Sequence, residues 1–362
     1  LDSYYSDNTF TTLYSSVWNQ TQSIGFLSIQ SAINAANAGD VIEIDALTFE
    51  ENITIGIPLT LLGPTAGINA VSGTRVDEAI ILGQVTVSSD DVTIDGLTLT
   101  NPDGTTGIYA SNVSGLSVEN NIISEVNTNG TGSASAIYVK ALGTAVSNFV
   151  IAANDIYDIG STNALVSTKG IYFGDSNGDL VMSDILIQSN RVTAVNVQTA
   201  DWPAGKGAYG ILLNYGVSAA GYVDNVQILD NIIDDIEGLW AHGIGLETDT
   251  QNTLVQGNII SNLTDHKGGT DAAAVFFEGN PSGPTVDVSL NTLDPSAGFG
   301  VAIHPDDAGL YSVDASANYW GSPTGPTAGQ ISGDVVVNSY YTDDLFETLY
   351  AQVLNITQNI GY

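Results

Sequence analysis

Cysteine is absent, and lysine and arginine together account for only 6 of 362 residues. The missing thiols exclude disulfides, thiolate metal sites and a cysteine nucleophile. Against 40 acidic residues, the six cations leave a net charge of −34. No basic surface can then be built for a nucleic-acid backbone or an anionic membrane. Since no apolar run approaches the roughly 18 residues of a membrane span, we expect neither nucleic-acid binding nor membrane insertion.

Small and turn-forming residues are plentiful instead: 39 residues are glycine, and asparagine, serine and threonine are abundant. This composition disfavours long amphipathic helices and favours strands joined by many turns. Hydrophobic residues make up 43% of the chain, which is enough for a large core and too much for a disordered acidic tail. Because the chain begins at Leu1 and its one methionine is Met182, we expect a processed product or an excerpt of a longer one.

Two short phrases recur in alternation along the chain. The first is strand, asparagine, strand, and its asparagines are Asn121, Asn154, Asn190, Asn231, Asn258, Asn291 and Asn318. The second is a small residue followed by apolar residues, and it begins at Gly107, Ala136, Gly170, Gly210, Gly243, Ala274 and Gly300. Strands this short cannot bury a face alone, so successive turns of the chain are expected to stack in parallel.

The two phrases predict where side chains point in such a stack. The recurrent asparagine is expected to form a ladder of side-chain amides at one corner, because Asn tolerates left-handed backbone and hydrogen-bonds neighbouring backbone groups. In the second phrase, the apolar residue after the small one is expected to point inward, with alternate residues pointing outward.

Two end segments complete a family resemblance. The leading segment spans 28–44 and the closing segment spans 318–326. With the Asn phrases, they resemble the right-handed parallel β-helix family with pectate-lyase-like and copper-site-accessory-type repeats, as found in large secreted prokaryotic surface proteins. The resemblance implies an all-β fold: a right-handed parallel β-helix of roughly ten turns, with a short helix over its first open end. The helical spacing of Ile29, Ala32 and Ile33 agrees with such a cap, since open strand edges must be covered.

A much longer repeat brackets this region. Residues 3–26 align without gaps to residues 339–362, and 14 of the 24 positions are identical at an offset of 336. We therefore divide the chain into a connector (1–26), a parallel β-helix domain (27–338) and a second copy of the connector (339–362). The repeat fits either one register of a tandem array or a subunit whose two ends meet neighbours.

Apolar residues at helical spacing predict a short amphipathic helix in each connector. Each apolar stripe either caps its own domain or joins neighbouring units end to end. The candidate assembly residues are Tyr4, Tyr5, Phe10, Leu13, Tyr14 and Val17 in the first copy, and Tyr340, Tyr341, Phe346, Leu349, Tyr350 and Val353 in the second.

Three residues at outward-pointing positions of the second phrase form a candidate catalytic site. Glu247 and Glu278 would lie on adjacent turns, with His304 one turn further on. Two carboxyls about 5 Å apart suit a retaining glycosidase, whereas a wider separation suits an inverting one. Their mutual repulsion raises one pKa. The alternative is an ordinary solvated face, which is polar in any case. A pectic substrate is disfavoured because a surface this acidic repels a polyanion.

Three further patterns concern metals and sugars. Asp175, Asn177 and Asp179 offer oxygen ligands at alternate positions beside a glycine, which suits Ca²⁺, although the glutamate of an EF-hand loop is missing. His242, His266 and His304 show no metal-binding spacing and are expected to be loop or surface residues. Asn19 and Asn355 occupy matching glycosylation sequons within the connector repeat. No cofactor other than calcium is expected.

From these features the sequence favours a non-enzymatic extracellular structural protein. It would be a self-assembling or tandem-repeat unit of a filament, sheath or surface layer, with homo-oligomeric or covalent neighbours at its ends. The alternative is a polysaccharide-active enzyme (a lyase or glycoside hydrolase), a carbohydrate-binding module or an adhesin that uses the outward β-helix face to bind glycans.

Overall fold

The protein, described from a computed structural model, is a coil of short strands. The structure describes residues 4–5, 13–141, 144–161, 166–175, 181–197, 206–215, 222–266, 271–280, 283–294, 298–355 and 360–361. Within these ranges, side chains are described from 15 to 351, except at 175, 181 and 215. Three long sheets run along one axis.

The sheets are named by the order in which each turn of the coil visits them. The first sheet contains Val17–Asn19, Ile24–Phe26, Asp40–Ile44, Leu59–Leu62, Val92–Asp95, Ser117–Glu119, Val146–Ala152, Val181–Gln188, Tyr222–Leu229, Asp249–Gln256 and Val286–Ser289. The second contains Thr48–Phe49, Ile80–Leu82, Thr98–Asn101, Ile122–Val126, Asp155–Ser161, Arg191–Val197, Ile232–Gly238, Ile259–Ser261, Leu263–Asp265, Thr292–Asp294, Asn318–Tyr319, Val335–Tyr341, Leu349–Asn355 and Ile360–Gly361. The third contains Ile53–Ile55, Val85–Val87, Thr106–Ser111, Ala134–Ala141, Thr168–Asp175, Ala208–Tyr215, Ala241–Glu247, Ala272–Phe277, Phe299–Ile303 and Ile331–Ser332.

Successive turns pair in parallel and in register, which confirms the predicted all-β parallel coil. In the third sheet, Ile137 lies beside Ile171 and Ile171 beside Ile211. All three side chains are fully buried, so the residue after the small one points inward as predicted. The small residue itself lets the sheets approach closely: a Cβ on Gly210 would stand 2.5 Å from Cγ2 of Ile233 in the second sheet. Stacked aliphatic side chains therefore fill the coil.

The predicted asparagine ladder lies between the first and second sheets. Each ladder side chain is almost fully buried, and its Oδ1 accepts from the backbone N–H and the amide of the preceding rung. Between Asn190 and Asn231 both of these bonds measure 3.0 Å. The Nδ2 of Asn231 also donates to the carbonyl of Ile187. The side chain of Asn231 is therefore bonded to the turns on both sides of it.

The expected left-handed backbone conformation of these asparagines is wrong, whereas their expected hydrogen bonds to neighbouring backbone groups are confirmed. The left-handed conformation falls on the residue before each rung, such as Ala153, Asp230 and Leu290, with φ of 54° to 56°. Only a side chain with both a donor and an acceptor can link three turns. The asparagine is thus required for its amide, while the preceding residue makes the bend.

Both ends of the coil are covered. The predicted cap is the helix Ile29–Ala35, whose first turn is capped by the hydroxyl of Ser28. It buries Ile29, Ala32 and Ile33 over the first turn. At the other end Trp320, which is 1% exposed, lies across the core beside Gly300. Two short 3₁₀ helices, Pro305–Asp307 and Ala328–Gln330, and the strand Val313–Asp314 complete this end.

The helices predicted in the connectors are wrong: the described parts of both copies are strands. Tyr4–Tyr5 pairs antiparallel with Leu13–Tyr14, and Val335–Tyr341 pairs antiparallel with Leu349–Asn355. Threonine, tyrosine and valine recur in both segments and fit strands better than helices. The open edges of the coil also offer hydrogen-bond partners that an isolated helix lacks. Because Val17–Asn19 joins the first sheet, the connectors are continuous with the coil.

Candidate functional site

The three predicted residues Glu247, Glu278 and His304 lie together on the outer face of the third sheet. They line a pocket of about 390 Å³. Glu278 and His304 follow directly after their strands, and their backbone N–H groups donate to Leu246 and Phe277 on the neighbouring strands, at 3.1 and 2.8 Å. The parallel register therefore continues through the site. The full lining is Tyr209, Trp240, His242, Glu247, Asp271, Phe276, Glu278, His304 and Pro305.

Glu247 is the deeper of the two carboxylates. Its side chain is only 9% exposed. Its Oε2 accepts a hydrogen bond of 2.8 Å from Nδ2 of Asn214 on the neighbouring strand. Its Oε1 lies 3.4 Å from Nδ1 of His242. Contacts on both oxygens hold this carboxylate in one orientation, as a group that reacts or binds in an ionised form requires.

Glu278 lies nearer the pocket opening, with 45% of its side chain exposed. Partial burial of the carboxyl, and then the charge of Glu247, raise its pKa above the ordinary glutamate value, while His304 and His242 oppose the shift. Its Oε1 is 3.9 Å from Nε2 of His304. The raised pKa of Glu278 suits a proton donor, and Glu247 beside it is a carboxylate fixed by Asn214.

Aromatic rings form the wall behind the two carboxylates. The His242 ring stacks on Phe276, with centroids 3.9 Å apart, and meets the edge of Tyr209 at 5.3 Å. Trp240 donates its indole N–H to the Tyr209 hydroxyl at 2.7 Å. Burial, together with the charge of Glu247, raises the pKa of Tyr209 well above its usual value, so this hydroxyl stays protonated.

One buried nitrogen in this wall stands out. Nδ1 of His242 finds no hydrogen-bond partner among the described residues. It lies 3.4 Å from Oε1 of Glu247, so the imidazole faces the buried carboxylate inside the pocket.

Lys169 lies on the strand next to that of Tyr209, in register with Tyr209 and His242. Its Nζ donates to Oγ of Ser133 at 2.9 Å and lies 5.3 Å from the ring centre of Tyr172. Burial lowers the pKa of this lysine to about 8, against the opposing effect of Glu247. The pocket therefore has a weak cation at its border and negative charge at its centre.

Sequence reasoning missed most of this wall. His242 was expected to be a loop or surface residue, which is wrong: it is 3% exposed. The signal was present in the residue before the small residue of each second phrase. That position holds Lys169, Tyr209 and His242 on three consecutive turns, which is a column of bulky polar side chains rather than random surface.

Comparison with known proteins addresses the fold. The family model described as a right handed beta helix region matches residues 31–317. The chain belongs to the right-handed β-helix family. Neither the curated proteins nor the solved structures contain a match to it. Family membership fixes the coil and leaves the chemistry of the pocket to be argued from its residues.

In this β-helix protein the two connector copies have the same strand pairing. Tyr4 lies opposite Tyr14 and Tyr5 opposite Leu13. At the offset of 336, Tyr340 lies opposite Tyr350 and Tyr341 opposite Leu349. The later strands agree as well: the pairs at 18 and 25 and at 19 and 24 recur at 354 and 361 and at 355 and 360. The repeated sequence thus encodes one hairpin meander.

The candidate assembly residues fall into different environments in this meander. Val17 and Tyr340 are 1% and 7% exposed and pack within their own chain. Leu349 and Tyr350 are 49% and 44% exposed, and Phe346 meets the ring of Tyr341 edge-on. For Tyr4, Tyr5, Leu13, Tyr14 and Val353 the structure gives the strand and no side-chain environment, and Phe10 lies outside the described residues.

The remaining predicted sites are the glycosylation and calcium-binding residues. Asn19 is fully buried and donates its amide to Asp40 at 2.8 Å, so the glycosylation predicted there is wrong: no space is left for a sugar. The side chain of Asn355 lies outside the described residues, as do those of Asp175, Asn177 and Asp179. Within the described ranges, no three carboxylate or imidazole groups gather closely enough to hold a metal ion. No helix in those ranges is long and apolar enough to span a membrane.

Proposed function

We propose that this β-helix protein binds a neutral polysaccharide along the outer face of its third sheet and hydrolyses it at the pocket. The observation that carries the proposal is the pair Glu247 and Glu278, held on adjacent strands in one pocket with different environments. Glycoside hydrolysis requires two such carboxyl groups, one protonated and one ionised. The net charge of −34 favours an uncharged substrate over a polyuronate.

Each residue has a defined role in this reaction. Glu278 donates its proton to the glycosidic oxygen as the bond to the leaving sugar breaks. Glu247, fixed by Asn214, attacks the anomeric carbon and forms a glycosyl ester. Water, deprotonated by Glu278, then releases the sugar and restores both carboxyl groups. Adjacent parallel strands lie about 4.8 Å apart, which matches the short carboxyl separation of retaining enzymes.

A panel of soluble neutral and acidic polysaccharides tests this proposal by release of reducing ends. We expect the native protein to act on at least one neutral glycan and to give a product of retained anomeric configuration by NMR. The variant with both Glu247→Gln and Glu278→Gln should be inactive. The control is Glu237→Gln, since Glu237 pairs with His266 at 2.6 Å outside the pocket. Unsaturated products, or activity that survives in the double variant, would contradict the assignment.

A second function is favoured by the connectors. We propose that the protein is also an extracellular structural unit, joined end to end with others in a filament, sheath or surface layer. The shared register of the two connector copies supports this, because one chain carries the same folded module at both ends. A glycan-acting pocket on the side of the coil and a joint at its ends do not compete for the same residues.

Negative-stain electron microscopy of the native material, with calcium and with chelator, tests the structural role. We expect filaments, tubes or sheets whose axial repeat matches one coil plus one connector. Dispersed single rods under both conditions, at every protein concentration tried, would count against assembly.

A further inference from the structure

Each connector copy has an upstream half (3–14 or 339–350) and a downstream half (17–26 or 353–362). In the C-terminal copy, the upstream half is attached to the last turn of the coil. Tyr340 pairs in parallel with Asn318, and Tyr341 with Tyr319. In the N-terminal copy, the downstream half is attached to the first turn. Val17 lies antiparallel to Ile44, and the pairing continues to residues 19 and 42. The two copies therefore contact the coil through different halves of the same repeated sequence.

The half in use at the C-terminal end is held by specific contacts. Tyr340 packs on Tyr350 at 5.1 Å and covers Gly325 of the closing segment. Asp343 accepts the backbone N–H groups of Glu347 and Thr348 at 3.0 and 3.1 Å. The N-terminal copy has the same residues at the positions of these two tyrosines and this aspartate, namely Tyr4, Tyr14 and Asp7.

The half in use at the N-terminal end is held by a polar clasp around Asp40. Asn19 and Gln22 both donate side-chain amides to Oδ2 of Asp40, and Thr21 accepts the N–H of Val41 at 3.0 Å. The C-terminal copy carries the same three residue types at these positions, namely Asn355, Thr357 and Gln358. The half of each copy that contacts no coil in this chain thus has the same residues as the half that does in the other copy.

We infer that one connector joins two coils, with its upstream half on the last turn of one unit and its downstream half on the strand Asp40–Ile44 of a second copy. This inference rests on the structural role proposed above. It predicts the pairing in detail: Val353, Leu354 and Asn355 of one unit lie antiparallel to Ile44, Glu43 and Ile42 of the next. The partner is a second copy because the strand Asp40–Ile44 carries the carboxylate that the clasp binds in this chain.

The joint requires one local rearrangement. In the single chain, Val337 lies opposite Leu354, at the place where Glu43 lies opposite Trp18 in the N-terminal copy. The ladder is irregular there, with a register shift between Val337 and Ser339. Docking a second copy therefore exchanges one irregular pairing for a run of regular antiparallel pairs.

A two-unit protein, in which the full chain is followed directly by residues 27–362 of a second copy, tests the joint. Since the native chain has no cysteine, disulfides can be introduced without background. Leu354→Cys in the first unit and Glu43→Cys in the second place two cysteines directly opposite. Opposite residues of antiparallel strands have Cα atoms about 4.5 to 5.5 Å apart, inside the disulfide range.

We expect a cross-link in most molecules of the Leu354→Cys and Glu43→Cys protein after mild oxidation. The matched control, Val41→Cys in place of Glu43→Cys, moves the second thiol to roughly 8 to 9 Å, outside that range, and should stay reduced. A second reporter, Val337→Cys with Leu354→Cys, should cross-link in the single chain and lose that cross-link in the two-unit protein.

Equal cross-linking of the pairs with Glu43→Cys and Val41→Cys, or none with either, would overturn the inferred register. So would a 337–354 cross-link that persists unchanged in the two-unit protein. These outcomes are separate from those of the structural role, which is read from the native material by microscopy. Filaments in the native material, without a 354–43 cross-link in the two-unit protein, would support self-assembly and contradict the inferred joint.

Discussion

Asn231→Ala is expected to lower the free energy of unfolding by about 3 to 5 kcal/mol. The substitution leaves the backbone N–H of Asn190 without its acceptor. It also removes the donor to Ile187 and to Asn258. Each buried group left unsatisfied costs about 1 to 3 kcal/mol. Because stacked turns depend on their neighbours, a gap in the middle of the ladder should weaken the coil on both sides.

Urea denaturation followed by circular dichroism measures this effect. The matched control is Asn338→Ala, since Asn338 is exposed and outside the ladder, and it should change stability by less than about 0.5 kcal/mol. Equal effects of the two substitutions would show that the ladder amides are replaceable, and that aliphatic stacking alone determines the stability of the coil.

Glu278→Gln is expected to reduce hydrolysis of polysaccharides about 10³-fold, because the leaving sugar then receives no proton. On aryl glycosides with acidic leaving groups, which need little protonation, the loss in kcat/KM, which reports the first step alone, should be only about tenfold. Glu247→Gln should lose at least about 10³-fold on both substrate types, because it removes the group that attacks the anomeric carbon. This contrast assigns the two roles independently of total activity.

The pH profile gives a second test of the acid. The reaction needs protonated Glu278, and its pKa is raised, so activity should persist above the ordinary glutamate range and fall as the pH rises through that raised value. The alkaline limb should be missing in Glu278→Gln with aryl substrates. Glu237→Gln, which alters a glutamate–histidine pair outside the pocket, should leave both the rate and the profile unchanged. An alkaline limb that survives in Glu278→Gln would assign the acid to another group, with His304 the nearest.

The architecture of the coil allows one chemical function on its side and another function, assembly, at its ends. A parallel coil presents the outer face of each sheet as a regular grid, so side chains on successive turns stand about 4.8 Å apart. A reaction that needs two carboxyl groups at a fixed short separation can be built there without a special loop. The ends of the coil are open edges that must be covered. The same connector can cover them and, with a second copy, join them.

Much of the coil could be predicted from the sequence, because its signals are periodic. The inward isoleucines at 137, 171 and 211 and the asparagine ladder follow from residue type and spacing, and the structure places them as expected. The repeat at an offset of 336 was likewise visible in the residues alone. Periodicity determined these features because every turn repeats the same local environment.

The tertiary structure decided the features that depend on what lies beside a residue. The connector stripes have helical spacing, yet the open strand edges of the coil offered hydrogen bonds and the segments became strands. His242 belongs to a column of bulky polar residues that is visible in the sequence, but only the packing of Phe276 and Tyr209 around its ring encloses it. The different contacts of Glu247 and Glu278 likewise come from neighbours on other turns, such as Asn214 and His304. Spacing along the chain determined which residues share a face, while burial and the reach of neighbouring side chains determined what each of them can do.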